Sequence, residues 1–311
     1  MTNKRNLVGN AFFKLITRRP RSGVIELLRL ARLSLIAPFF HPALAEAPVP
    51  VQEGSDQICE FTLKISVVTA VFNNAATVGQ AIESVLSQHH DDIELLVQDG
   101  VSTDGTLEVL RGIEDPRLHL VSEADDGIYN ALNRAIARAT GDVVGLMHSD
   151  DFYATPDVLS KVAAALEDPE IDGVYGDLTY VSAQDPERVI RYWRAGAYTP
   201  AKLRRGWMPP HPTLFLGREV FEHYGLYDTS FRIAADYDAM LRYLVKGQIR
   251  LAYIPEVLVN MRMGGESNRS LERLVRKSRE DYRAIRENGV GGMGTLMNKN
   301  FSKLSQFWKR A

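Results

Sequence analysis

Between residues 64 and 166 the chain repeats one pattern, a short apolar run followed by a segment whose apolar residues recur every three to four positions. "KISVVTAV" is such a run, and Val78, Ala81, Ile82, Val85 and Leu86 after it keep the helical period. "DIELLVQD" comes next, then a short helix from Thr106, then "RLHLVSE", then a helix carrying Ile128, Ala131, Leu132, Ala135, Ile136 and Ala139. "DVVGLMH" is the fourth run, and another helix follows from Pro156. Runs without polar alternation predict strands buried on both faces, and their alternation with helices predicts parallel neighbours joined by right-handed crossovers. The chain reads as α/β, with helices on both faces of a mostly parallel sheet.

In such sheets ligands bind at the carboxyl ends of the strands. The first predicted strand ends in Ala70, Val71, Asn73 and Asn74, the second in Asp99 and Gly100, and the fourth in His148, Ser149, Asp150 and Asp151. Parallel strands bring these clusters to one edge. Carboxylates crowded there repel each other unless a cation or a ligand's donors sit among them. A hard divalent ion, Mg²⁺ or Mn²⁺, held by one or two carboxylates and by a ligand's phosphates answers that need.

Several classes are excluded. "VFNNAATVG" after the first strand lacks the glycines of a dinucleotide fingerprint, no Gly-Lys-Ser/Thr loop is present, and no histidines and cysteines stand in zinc spacing. Hydrophobic content of 45% and charged content of 24% are those of a folded soluble domain. The single cysteine, Cys59, excludes an internal disulfide framework and takes no role.

The formal net charge of −2 hides a segregation. Residues 1–40 hold eight Lys/Arg against Glu26, or +7, and residues 288–311 hold Lys299, Lys303, Lys309 and Arg310 with no acid, or +4. The body between them therefore carries −2 − 7 − 4 = −13, and nothing in this pattern asks for nucleic acid. "SGVIELLRLARLSLIAPFF" is too interrupted by Glu26, Arg29 and Arg32 to span a bilayer, which needs about 20 largely uncharged residues. It fits a surface helix, and "NKNFSKLSQFWKR" repeats the mix. Two readings of these ends stay open: rest on an anionic membrane face, or packing on the body or on a second subunit of a homodimer. Pro42, Pro48, Pro50 and Gly54 mark a linker before the main domain near Phe61.

"ISVVTAVFNNAATVGQAIESVLSQ", "ELLVQDGVSTDGTLEVL" and "DDGIYNALNRAIARATGDVVGLMHSDD", in that order, resemble the nucleotide-sugar-binding half of family 2 glycosyltransferases, which have the GT-A fold. The resemblance continues through "HPTLFLGREVFEHYGLYDTSFRIAADYDAMLRYLVKG", the family's acceptor side. It implies a GT-A domain over 61–265, with a nucleotide-binding half of about 61–152 and an acceptor half of about 153–265. A basic extension (1–41), a linker (42–60) and a helical basic tail (266–311) flank it.

The same resemblance distributes roles. Asp99 matches the aspartate that reads base or ribose; Asp104, by contrast, suits ordinary helix capping. Ala70, Asn73, Asp126, Asn133 and Ser149 match positions lining the nucleotide-sugar pocket. "HSD" stands where an Asp-x-Asp metal motif is common, so Asp150 matches the metal ligand, Asp151 either shares the metal or starts the next element, and His148 departs from the motif. Asp236 in "AADYDAMLR" matches the general base, with Ala235 in place of the customary Glu. His211 is a candidate for acceptor or phosphate contact, and Arg262 in "MRMGGES" for a glycine-hinged lid on the diphosphate.

The implied activity is inverting, metal-dependent transfer of one sugar from a nucleoside-diphosphate sugar, a UDP-sugar first, to a hydroxyl of a saccharide or lipid-linked saccharide. Such proteins build cell-surface polysaccharides from the cytoplasmic face of the membrane. No Gln-x-x-Arg-Trp signature of processive synthases is present. A nucleotidyltransferase, which would want a basic residue near "TAVFNNAAT", and a non-catalytic scaffold with a degenerate site are the alternatives.

Overall fold

The strand β1 (Ile65–Val71) is buried at every residue but the half-buried Ala70, with Ser66 and Thr69 its polar side chains, and it lies between two parallel partners, β2 (Ile93–Asp99) and β4 (Val143–Leu146). The computed structural model describes residues 62–263 and 271–304. The expected N-terminal extension, the linker, Cys59, the Gly264-Gly265 hinge and the last residues of the tail lie outside them. The remaining strands are β3 (Leu118–Ser122), β5 (Phe152–Tyr153), β6 (Gly173–Val181), β7 (Val189–Trp193), β8 (Phe215–Gly217) and β9 (Leu251–Arg262). One nine-stranded sheet runs in the order β3-β2-β1-β4-β8-β6-β9-β5, with β7 paired to β6.

The sheet is parallel from β3 through β4, as the alternating pattern predicts. Beyond β4 it is mixed: β8 enters antiparallel to both β4 and β6, β6 and β9 are parallel, and β5 and β7 close antiparallel pairs. The sequence pattern stops at the helix after Pro156, so it carried no information about this half.

Helices α1 (Val78–Leu86), α2 (Thr106–Arg111), α3 (Ile128–Arg138) and α4 (Val158–Ala165) are the predicted ones. In β1, Val67 faces α1 and α4 while Val68 faces α3, so two cores form, one on each side of the sheet. This is the two-residue period of a strand expressed as two apolar faces. Helices α5 (Pro200–Arg204), α6 (Arg218–Tyr224) and α7 (Ala235–Leu241) follow, the last continuing into a π turn at Arg242–Lys246. Two more, α8 (Leu271–Glu287) and α9 (Met293–Leu304), close the same face as α3 and α7.

The amino end of the central strands is held by one carboxylate. Glu94 is 5% exposed and accepts from Ser66 Oγ (2.5 Å), Thr140 N (2.6 Å), Thr140 Oγ1 (2.8 Å) and Gly141 N (3.2 Å), with Lys64 Nζ at 3.2 Å. Burial works to raise its pKa, but these donors outweigh it and hold the group down at about 2 against an ordinary 4.5. A depressed carboxylate stabilises the fold above its unfolded pKa and loses that contribution as the pH falls through the folded one. The stability gap between wild type and Glu94→Gln, measured by denaturant titration, should be on the order of 3 kcal/mol near pH 7 and narrow between pH 4.5 and 2. Gly145 lies against the Phe215 ring, where any Cβ would collide. Gly145→Val should therefore cost at least about 2 kcal/mol in the same assay.

Candidate active site

Because β1, β2 and β4 run parallel, their polar tips share an edge and bond to one another. Asn74 Nδ2 donates to Ser149 Oγ (2.8 Å) and Thr77 Oγ1 to Ser149 O (3.0 Å), tying the first tip to the fourth strand's loop. Asn73, at φ 49°, donates its N–H to Ser102 Oγ (2.8 Å) and accepts from Thr103 N at Oδ1 (2.8 Å), tying the first tip to the second. Asp104 stands one residue before Gly105, the N-cap of α2, and its carboxylate accepts from Ala75 N (3.0 Å) and Thr106 N (3.1 Å).

Asp99 does not open to the crevice. It is completely buried, and its carboxylate accepts from Val101 N (3.0 Å), Ser102 N (3.1 Å) and Ser122 Oγ (2.6 Å). Those bonds hold Val101 at φ 64°, a left-handed conformation that costs a β-branched residue about 1–3 kcal/mol. Asn133 is likewise consumed, its amide bonded reciprocally to Tyr227 O (2.8 Å) and Tyr227 N (3.0 Å). Asp126 is exposed beside the start of α3, and Ala70 and Ser149 are half-buried at the edge.

The carboxylate pair separates into two environments. Asp150 is half-exposed, whereas Asp151 is completely buried, its Oδ1 accepting from Arg262 N (3.1 Å) and its Oδ2 without a partner. Burial, with the Asp150 charge added, pushes the Asp151 carboxyl well above the usual range. Arg262 is no lid. It is 6% exposed at the end of β9, donating to Asp150 O (2.5 Å) and to Gln80 Oε1, with its guanidinium 5.0 Å from the Phe152 ring. It pins the loop that presents Asp150.

Asp236 is the second residue of α7 and is partly exposed, its side chain 19% accessible. His211 Nδ1 lies 3.3 Å from Asp236 Oδ2, Tyr129 Oη lies 3.2 Å from Oδ1, and His148 Nε2 meets His211 Nε2 at 2.9 Å. With His211 protonated, both of its ring nitrogens donate, Nδ1 to Asp236 and Nε2 to the neutral His148. Burial keeps His148 below the ordinary histidine range, against the opposing pull of Asp150 and Asp236. Burial raises Asp236, but the positive charge of His211 and then Lys299, the Tyr237 N–H and Lys277 bring it below the ordinary carboxylate value, so it is ionised at neutral pH. Apolar walls from Leu146, Leu214, Leu216 and Met240 stand behind the Asp236–His211 pair.

The profile of glycosyl transferase family 2 matches residues 66–225. The chain belongs to that family. Family relatives include an uncharacterized glycosyltransferase of Mycobacterium tuberculosis, 32% identical over 183 residues, 57% of this chain and 68% of the relative. A glycosyltransferase of PGL/p-HBAD biosynthesis from Mycobacterium bovis is 30% identical over 209 residues, 65% and 78% of the two chains. Among solved structures, a mannosyltransferase of Pyrobaculum calidifontis in complex with GDP-Man and Mn²⁺ superposes with a TM-score of 0.57 at 19% identity, covering 80% of this chain and 72% of that one. S. aureus TarS in complex with UDP-GlcNAc gives 0.57 at 17% identity, covering 73% and 66%. The fold of this glycosyltransferase is thus GT-A, and the enzyme class expected from its motifs holds.

Sequence reasoning did not single out two contacts and one exposed ring in this family 2 glycosyltransferase. Tyr129 touches Asp236 across 107 residues, and the His148–His211 contact spans 63, so no local spacing announces either. Phe72, 63% exposed after β1, stood inside a quoted motif, and its bulk in a loop was the available signal. The Asp99 assignment yields a test on stability rather than on binding. Asp99→Ala should destabilise by on the order of 2–3 kcal/mol through three stranded donors, and adding Val101→Gly should recover about 1 kcal/mol, both read by denaturant unfolding.

Proposed function

We propose that the protein is an inverting, metal-assisted transferase that moves one sugar from a nucleoside-diphosphate sugar to a hydroxyl of a saccharide or lipid-linked saccharide. The observation that carries this reading is Asp236, an ionised, partly exposed carboxylate held by His211 and Tyr129 at the carboxyl edge of the parallel strands. Inversion needs one base that takes the acceptor proton while the hydroxyl attacks from the face opposite the leaving group. Asp236 suits that role, and the apolar wall behind it excludes water that would compete with the acceptor.

The residues at the edge fit a hard divalent ion on limited terms. Among the described residues no cluster of three His, Cys, Asp or Glu has metal-binding geometry, and Asp151 is withdrawn. Asp150 remains, presented by a loop that Arg262 pins, and one carboxylate with substrate phosphates is the usual way Mg²⁺ or Mn²⁺ is held. When bound, such an ion neutralises charge growing on the departing diphosphate. Phe72, exposed beside Gly100, would offer a ring face to a nucleotide base, and Asn73, Asp126 and Ser149 would supply further donor-side contacts. Nucleotide-sugar complexes of the mannosyltransferase and of TarS, GDP-Man and UDP-GlcNAc, support a donor of that class.

Action on a lipid-linked acceptor from the inner membrane face is the finer reading. No helix among the described residues is long and apolar enough to cross a membrane. Support comes from α9, which exposes Met293 (57%), Met297 (52%) and Phe301 (61%) along one side.

Thermal-shift screening of UDP, GDP, dTDP and CMP with and without Mn²⁺ should single out one diphosphate that stabilises only with metal, an effect lost in Asp150→Ala. Asp236→Asn should lower kcat by about 10²- to 10⁴-fold with donor affinity nearly intact. Turnover at the wild-type rate in that variant removes Asp236 from the mechanism.

A further inference from the structure

The family profile ends at residue 225, yet the segment that carries Asp236 is fastened from outside it, by α8 and α9. Glu280, in the middle of α8, accepts from three successive backbone N–H groups just before α7. Arg232 N lies 3.2 Å from each of its oxygens, Ile233 N 2.8 Å from Oε2 and Ala234 N 3.0 Å from Oε2. No other side chain among the described residues accepts from these amides. They lead into α7, whose N-cap is Ala234 and which has no side-chain cap of its own; of the three, Ala234 N belongs to the open amides of the helix start. A carboxylate on such donors makes charge-assisted bonds, stronger than those of a neutral cap.

The same loop is gripped from its other side, where Tyr129 Oη donates to Ile233 O (2.7 Å) and Arg232 Nη1 to Asp126 O (3.1 Å). Ala235, where the family's glutamate stands, is completely buried in the core and offers no carboxylate. Farther along α7, Asn288 Nδ2 donates to Asp238 Oδ1 (2.8 Å), and the buried Lys299–Asp281 pair (2.6 Å) lies under the Tyr237 ring.

We propose that Glu280 is a positioning residue for catalysis: its carboxylate, supplied by α8, fixes the backbone of 232–234 and so aims Asp236 at the acceptor hydroxyl. The proposal rests on Asp236 being the base. Its consequence is that the C-terminal helix pair is part of the working active site, although it lies beyond the family profile. Misplacing a base by an ångström is enough to cost on the order of 10²-fold in rate.

The test compares Glu280→Ala, Glu280→Gln and the exposed control Glu272→Gln in the full chain, using the donor that the thermal-shift screen selects. Glu280→Ala should lower kcat by about tenfold or more with donor KM little changed. Glu280→Gln, which keeps one accepting oxygen, should recover part of the loss, and Glu272→Gln should match wild type. Hydrogen exchange read by mass spectrometry should rise over residues 231–237 in Glu280→Ala and not elsewhere. A kcat within twofold of wild type in Glu280→Ala overturns the proposal, as does a parallel fall of kcat, donor affinity and melting temperature with exchange rising throughout. Should Glu280→Ala not fold, Glu280→Gln is judged by the same split of kcat against KM and the same local exchange. Asp236→Asn run alongside separates the two ideas: wild-type turnover there removes the base, while local exchange still reports on Glu280.

Discussion

The register of β1 with its two parallel neighbours is the constraint on which the rest depends. Ile65 pairs with both Ile93 and Val143, so the three strands start level and their carboxyl tips emerge at one edge. Main-chain hydrogen bonds and two apolar faces fix that register, because a one-residue slip would turn each core face toward the opposite set of helices. Glu94 locks the amino end by collecting donors from Ser66, Thr140 and Gly141. The Asn74–Ser149 and Asn73–Thr103 bonds then draw the carboxyl tips together. Every candidate donor-side group inherits its place from this alignment.

Charge at that edge is managed by burial. Adjacent aspartates at a strand tip suggest two negative charges side by side, but Asp151 points into the protein and is pushed toward its neutral form, while Asp150 stays open. Asp236 is treated in the opposite way, with positive charge from His211, Lys299 and Lys277 outweighing the effect of its burial. One carboxylate is withdrawn, one is left half-exposed and one is kept ionised. Three acidic side chains in one region acquire three chemistries from their surroundings alone.

The surroundings of Asp236 are assembled from elements far apart in sequence. The His211 loop precedes β8, Asp236 is the second residue of α7, Tyr129 sits on α3 and Glu280 on α8. Antiparallel entry of β8 between β4 and β6 sets His211 against His148 at the tip of β4. The helices that follow α7 complete the same face, joining α3, α6 and α7 in one core through Ala284, Ile285 and Leu296.

The parallel half of the fold was legible because its central strands are mostly apolar runs and its longer helices keep the 3.6 period, both local properties of the chain; the edge strand β3 is only half-buried. The carboxyl-edge position of Asp150, and the resemblance that singled out Asp236, were legible for the same reason. Asp99, Asn133, Asp151 and Arg262 sit in motifs that point to a ligand, and the structure turns all four inward, to Val101, Tyr227, Arg262 and Asp150 in turn. Nothing local distinguishes a side chain that faces a ligand from one that faces its own backbone. The sequence by itself determined which residues become strands and helices and which acids reach the strand tips, since those depend on neighbours a few positions away. Tertiary structure alone decided which acids are charged, which are sealed and which distant side chains hold Asp236, because desolvation and hydrogen bonding arise only when separate segments meet.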